Sequence, residues 1–102
     1  MNHHHYGASG EGTVVLDIGG DTGALVVHTP ADLAGLEIEL ARRGEDGPFV
    51  HTAVRERHLP GATLLAAVFA EVPAGDYTLL GVGAHPPVPV TVTGGCVTEL
   101  SW

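Results

Sequence analysis

Residues 64–80 read Leu-Leu-Ala-Ala-Val-Phe-Ala-Glu-Val-Pro-Ala-Gly-Asp-Tyr-Thr-Leu-Leu, and this stretch decides the predicted fold. An apolar run rich in Val, Phe and Leu stops at Pro73 and resumes at Tyr77, which is typical of a strand, a tight turn and a second strand. Proline fixes φ for a turn, and glycine adopts the positive φ that other residues resist. The stretch therefore predicts a β-hairpin.

Further short strands are predicted on both sides of this stretch, each from apolar residues or apolar alternation bounded by Gly and Pro. Turns rich in glycine are predicted to join the first two strands, and also the last two, into hairpins. A loop is expected over residues 58–62. The predicted strands span residues 13–18, 24–29, 36–40, 49–57, 63–72, 77–80, 88–93 and 96–102, with one helical turn over 31–35.

The predicted core follows from these strands, because apolar residues on one face of a strand pack inward. It comprises Val14, Leu16, Leu25, Val27, Leu36, Ile38, Val50, Val54, Val68, Phe69, Tyr77, Leu79, Val90 and Val92.

Length and composition limit the chain to one domain of the all-β class. A chain of 102 residues is long enough for one core. Its 15 Gly and 7 Pro are spread along the sequence as turns between short strands would be. We therefore expect a flexible His-containing arm over residues 1–12, and a single antiparallel β-sandwich of seven or eight strands over residues 13–102.

One segment also carries a family resemblance. Residues 68–79 read Val-Phe-Ala-Glu-Val-Pro-Ala-Gly-Asp-Tyr-Thr-Leu, which resembles the pattern Leu/Val-Pro-Ala-Gly-x-Tyr-Thr-Leu of the carboxypeptidase regulatory-like and Cna-B-like domains. With the closing strands, the resemblance covers roughly residues 49–102. It implies a transthyretin-like β-sandwich without an active site, which presents loops or edge strands to a protein partner.

Charge excludes several classes of partner. Twelve acidic residues and four Arg, with no Lys, give a net charge of −8. Such a surface repels phosphate backbones and anionic lipids, so neither nucleic acid nor a membrane is expected as a partner. The first residues lack the pattern of a signal peptide, and the single cysteine, Cys96, gives no internal disulfide. The expected compartment is the cytoplasm.

No catalytic motif is present, so the prediction is that the chain is not an enzyme. Ser9 and Ser101 are the only serines, and neither lies in a Gly-x-Ser-x-Gly sequence. Nothing in the sequence places a histidine beside Cys96, and no pair of carboxylates is marked for acid–base chemistry. Catalytic residues are therefore not predicted.

Histidine is the abundant metal-binding residue type, with seven in the chain. At the amino terminus, Met1, Asn2 and His3 can supply an α-amine, two backbone amides and an imidazole to a square-planar Cu(II) or Ni(II) ion, with His4 and His5 as further donors. His28 and His51 are weaker candidates, also for Zn(II), because they can equally be solvated residues on the outward face of strands.

Two functions follow from these features. The first is a non-catalytic binding module for an unknown protein partner, and the alternative is a histidine-mediated Cu, Ni or Zn binding protein. The exposed edges of a small sandwich are compatible with a homodimer. Residues 98–102 are the predicted site of pairing, although Trp102 can equally cover the core of its own chain.

Overall fold

A computed structural model describes residues 18–102, which form seven strands and no α-helix. This confirms the predicted all-β class for that part of the chain. The predicted arm over residues 1–12, the predicted strand over 13–18 up to its last residue, and the predicted core residues Val14 and Leu16 lie outside the described residues. The strands are β1 (Thr22–His28), β2 (Glu37–Arg42), β3 (Val50–Leu59), β4 (Ala62–Pro73), β5 (Gly75–Leu79), β6 (Val88–Val92) and β7 (Val97–Ser101), and a 3-10 turn spans Ala31–Leu33.

The seven strands form one mixed sheet in the order β6-β5-β2-β3-β4-β1-β7. Every pair is antiparallel except β1 with β7, which run parallel. The expectation of a purely antiparallel sheet is therefore wrong at this pair. A β7 that returned as a hairpin beside β6 would have been antiparallel, but the chain instead crosses over and places β7 beside β1.

Strand β3 divides the sheet into two halves. Its first part pairs with β2, ending at Ala53 opposite Glu37, and its second part pairs with β4, starting at Val54 opposite Ala67. The edge strands β6 and β7 come into contact. Because side chains from both halves share one hydrophobic cluster, the continuous sheet folds around a single core.

The stretch that suggested a hairpin is a crossing between the two halves. β4 pairs with β1 and β3, whereas β5 pairs with β2 and β6, so the predicted hairpin is wrong. Pro73 ends β4, and the next residue, Ala74, donates its N–H to the carbonyl of Asp21 at 2.7 Å. Tyr77 then enters the core, and its hydroxyl donates to the carbonyl of Pro73 at 2.6 Å. Tyr77 therefore holds the crossing in place through a hydrogen bond made from within the core.

The other predicted connections differ as well. β6 and β7 follow each other through a turn closed by Cys96 N–H and Thr93 C=O, but they are the two edges of the sheet and share no ladder. The predicted loop over residues 58–62 is instead a hairpin, in which Leu59 pairs with Ala62 across a two-residue turn. Gly61 has φ +79° there, the left-handed conformation that glycine adopts without strain.

The turn of the first predicted hairpin lies at the start of the described residues. Gly19 and Thr22 exchange two backbone hydrogen bonds, at 2.9 and 3.0 Å. Beyond that turn β1 pairs with β4 on one side and with β7 on the other.

Most of the predicted core is buried in one cluster, namely Leu25, Val27, Ile38, Val54, Phe69, Tyr77, Leu79, Val90 and Val92, and Val50 packs against that cluster. Two predictions are wrong. Leu36 precedes β2 and is 44% exposed. Val68 lies on the opposite face of β4 from Phe69, because neighbouring side chains of a strand alternate.

The carboxyl-terminal tryptophan covers the core of its own chain. Trp102 packs against the core cluster, its backbone N–H donates to the carbonyl of His28, and its indole N–H donates to the carbonyl of Pro86 at 3.0 Å. The ring of His85 lies beside it at 5.5 Å between centroids. Of the two predicted roles for Trp102, these contacts support the one within the chain. Among residues 18–102, no helix has the length and apolar character needed to span a membrane.

Replacing the crossing tyrosine gives the first testable prediction. Tyr77→Phe removes the hydrogen bond to Pro73 and should lower the free energy of unfolding by about 1–2 kcal/mol. Burial also raises the pKa of Tyr77, against the opposing charge of Arg42. The folded chain therefore holds the phenolic proton more tightly than the unfolded chain, where tyrosine ionises near pH 10.

This contribution of Tyr77 is complete below about pH 10 and is lost as the pH rises through the higher pKa of the folded state. Between pH 8 and pH 11, the free energy of unfolding measured with urea should fall further for the native chain than for Tyr77→Phe. An equal loss in both chains would mean that Tyr77 is not responsible for the alkaline destabilisation.

Candidate interaction surface

The two halves of the sheet each have an outer face, turned away from the common core, and these two faces differ in chemistry. Residues that lie opposite each other in a ladder share a face, so the pairing register assigns each side chain. On the β6–β5–β2–β3 half, the outward residues are mainly charged or hydroxylated, as expected for a solvated sheet face. They include Glu37, Glu39, His51, Asp76, Thr78 and Thr91. We call this the polar outer face.

The outer face of the β3–β4–β1–β7 half is apolar. Across its centre Val68 lies opposite Val26, and Ala66 lies opposite His28. On the β3–β4 hairpin, Leu64 lies opposite Arg57. We define the apolar outer face by the nonpolar side chains that these ladders place together, which are Leu59, Ala62, Leu64, Ala66, Val68, Ala70, Ala24, Val26 and Val97.

Several of these side chains contact solvent. Leu59, Leu64 and Val97 are 44%, 39% and 40% exposed, and they account for three of the five large exposed hydrophobic residues in the described range. Val26 and Val68 are half-buried between them. Ala24 and Ala66 on the same face are buried, so the exposed side chains lie at its two ends, with Leu59 and Leu64 at the β3–β4 hairpin and Val97 at the start of β7. Exposed apolar side chains that share one face mark a site of interaction, whereas isolated ones are ordinary.

The sequence contains a signal for this face that alternation alone does not interpret. Residues 64–70 read Leu-Leu-Ala-Ala-Val-Phe-Ala, with no polar residue at alternate positions. A strand with that composition is apolar on both faces. One face of β4 is covered by the core of the chain, and the other belongs to the apolar outer face.

Charged groups lie at two opposite margins of the apolar outer face. Arg55 and Arg57 are on β3, at one margin. At the other margin, on β7, Glu99 accepts a hydrogen bond from the ring of His28 at 2.8 Å. Positive and negative side chains are therefore separated across the width of the face.

Arg57 is poorly hydrated for a surface arginine. Burial, and secondarily the charge of Arg55, lowers the pKa of Arg57. Its Nε atom is buried and has no hydrogen-bond partner within the described structure. A buried donor without an acceptor costs about 1–3 kcal/mol, so Arg57 is held in this position at an energetic cost.

A small cleft lies where β3 leaves β4. It has a volume of about 200 Å³ and runs between residues 50–52 of β3 and residues 68–72 of β4. Its walls carry the side chains of Val50, His51, Thr52, Val68, Phe69, Ala70, Glu71 and Val72. The cleft therefore places His51 beside the edge of the apolar outer face.

The predicted metal-site histidines of the folded body do not come together. His28 pairs with Glu99 on β7, and His51 pairs with Glu37 on β2. His58 and His85 have their own carboxylate partners, Glu56 and Asp32. Within residues 18–102, no three His, Cys, Asp or Glu side chains form a group that could hold a metal ion. Each described histidine instead has a carboxylate of its own within 3.4 Å of a ring nitrogen.

The amino-terminal part of the metal prediction remains a prediction, because Met1, Asn2, His3, His4 and His5 lie outside the described residues. The described cysteine, Cys96, is free and exposed in the turn before β7.

Comparisons with protein-family models, with curated proteins and with solved structures gave no match for this chain.

Metal binding can be tested by substituting the amino-terminal histidines and the histidines of the folded body in separate variants. We expect an untagged chain with a free amino terminus to bind one Cu(II) ion through Met1, Asn2 and His3, and His3→Ala to abolish that binding in a titration followed by visible absorption. His28→Ala and His51→Ala should leave it unchanged, because those rings are paired with separate carboxylates. Binding should weaken as the pH falls, since protons compete for the amine, amide and imidazole donors.

An acetylated amino terminus is the matched control, because it removes the α-amine and keeps every histidine. If this chain and His3→Ala both bind copper as the parent does, the terminal site is wrong.

Proposed function

We propose that the chain is a non-catalytic protein-binding module whose partner binds the apolar outer face. The observation that supports this function is the difference between the two outer faces of one sheet. The polar outer face has the side chains that a solvated sheet requires, while the apolar outer face exposes Leu59, Leu64 and Val97. Exposed apolar surface lowers solubility, so a function that requires it is the physical explanation for its presence.

The apolar centre and the charged margins of the apolar outer face indicate which chemical groups a partner should carry. The centre, around Val26 and Val68, favours apolar side chains. The margin with Arg55 and Arg57 favours an acidic group, because guanidinium groups bind carboxylates. The net charge of −8 does not favour anionic polymers, which is consistent with a protein as the ligand.

We also propose that the domain is a transthyretin-like β-sandwich of the regulatory-like type. The support is the Val-Pro-Ala-Gly-x-Tyr-Thr-Leu segment, in which Tyr77 holds the crossing at Pro73 through its hydroxyl. Further support is the division at β3, which separates the strands into two groups around one core, as in sheets that share a strand at a corner. A module of this type presents surfaces to partners and carries no catalytic group of its own.

The proposal is tested by placing a photoreactive side chain at defined positions. Benzoyl-phenylalanine introduced at Leu64 or at Val97 should form crosslinks to a polypeptide when cells producing the protein are irradiated, because both positions lie on the apolar outer face. The same residue at Glu39, on the polar outer face, is the matched control and should give no such product. Mass spectrometry of the product identifies the partner, including another copy of the chain.

Crosslinking of equal yield from Leu64, Val97 and Glu39 would show random collision rather than a binding face. No product from Leu64 and Val97 would contradict the proposed function.

A further inference from the structure

We propose that a second copy of this chain is the occupant of the apolar outer face, bound face to face about a two-fold axis that runs along the strands. This inference rests on the proposed function, since it identifies the partner of the same surface. It goes further by fixing the symmetry of the complex and the pairs of charges that meet in it.

The register of the ladders defines rows of side chains across the face. One row contains Arg55, Ala66, His28 and Ser101, in that order across β3, β4, β1 and β7. In the next row, Val68 lies opposite Val26, which lies opposite Glu99. Neighbouring rows are about 7 Å apart along the strands. Arg55 and Glu99 are therefore at opposite margins, one row apart.

A two-fold axis along the strands, between β4 and β1, makes these margins complementary. Such an axis places β3 of one copy over β7 of the other and β4 over β1. Arg55 of each copy then lies above the β7 margin of its partner, one row from Glu99, a separation that an extended arginine side chain can span. Because the axis is two-fold, the contact forms twice, and Val68 of one copy meets Val26 of the other at the centre.

The charges favour contact between the apolar outer faces of two copies over contact between the apolar outer face of one copy and the polar outer face of another. Glu37, Glu39 and Asp76 on the polar outer face would attract Arg55 and Arg57, but that contact joins two different surfaces. Contacts between unlike surfaces leave each copy with one free surface of each kind and continue into open chains. The face-to-face arrangement is closed.

The face is small. β3 flanks residues 62–67 of β4 and β1 flanks residues 66–73, so the four strands lie side by side only around Ala66. Stable complexes bury about 800 Å² per partner, and weak transient ones bury less. Weak self-association is therefore expected, so the dimer forms at high local concentration.

The test is sedimentation velocity of the untagged chain over a concentration series from about 10 μM to 1 mM, with charge variants. The native chain should shift from monomer to dimer with rising concentration. Glu99→Arg should weaken the dimer about tenfold or more, because two arginines then meet at each margin. The variant changes the net charge from −8 to −6, since a charge of −1 is replaced by +1, and reduced overall repulsion alone would strengthen association.

Two further variants make the result specific. Glu39→Arg, on the polar outer face, makes the same change in net charge and should leave the dimer unchanged or stronger. Arg55→Glu should weaken it as Glu99→Arg does, and the double variant Arg55→Glu with Glu99→Arg should restore association to within about threefold of the native chain. Thermal melting of each variant confirms that the fold is retained.

The outcomes separate this inference from the proposed function. A native chain that stays monomeric at 1 mM, or a dimer that Glu99→Arg does not weaken, overturns the two-fold arrangement. If crosslinks from Leu64 and Val97 then lead to a different polypeptide, the face still binds protein and only the identity of its partner was wrong. Absence of both the dimer and the crosslinks overturns both.

Discussion

The crossing between the two halves of the sheet is held by the buried ring of Tyr77 and by the hydrogen bond from its hydroxyl to the carbonyl of Pro73. At this point the chain leaves the half of the sheet that contains β4 and enters the half that contains β5. Pro73 is the last residue of β4, and the tyrosine brings a buried ring and a donor to its carbonyl. The halves are thereby held over one core, and each is left with an outer face.

The aromatic ring also joins the crossing to the loop before β3. Phe49 lies 6.0 Å from the ring of Tyr77, and the guanidinium of Arg42 lies 4.1 Å above the ring of Phe49. Arg43 lies near the carbonyl of Tyr77, with Nη2 at 3.5 Å. Two of the four arginines are thus engaged at this end of the molecule, and the other two, Arg55 and Arg57, belong to the margin of the apolar outer face. Positive charge in this acidic chain is concentrated in two places.

The sequence predicted the elements better than their partners. The positions of the strands follow from alternation and from Gly and Pro, and the helical turn near residues 31–35 was correctly expected. Hairpins were assigned at the segments around Pro73 and Gly95 because consecutive strands usually pair. In both places the chain crosses between halves of the sheet, and no local signal distinguishes a crossing from a hairpin when both need the same turn residues.

The candidate site was less predictable, for a related reason. Val68 faces either the core or solvent, depending on which of the two alternating sets of β4 side chains points inward. Because every residue of 64–70 is apolar, the sequence does not distinguish the two sets. The hydrogen bonds of His28 with Glu99 and of His51 with Glu37 join residues distant in sequence, so spacing could not reveal them. Each histidine meets its carboxylate because two strands pair, and strand pairing is known only from the fold.

The central claim is that the apolar outer face binds protein, with a second copy as its partner. The most direct measurement is a dilution series followed by methyl-resolved NMR, which reports each valine separately. On dilution from about 1 mM, the methyl signals of Val26 and Val68 should move together, while those of Val90 and Val92 in the core stay fixed. Constant signals from Val26 and Val68 over the whole series, or movement confined to residues of the polar outer face, would contradict the account.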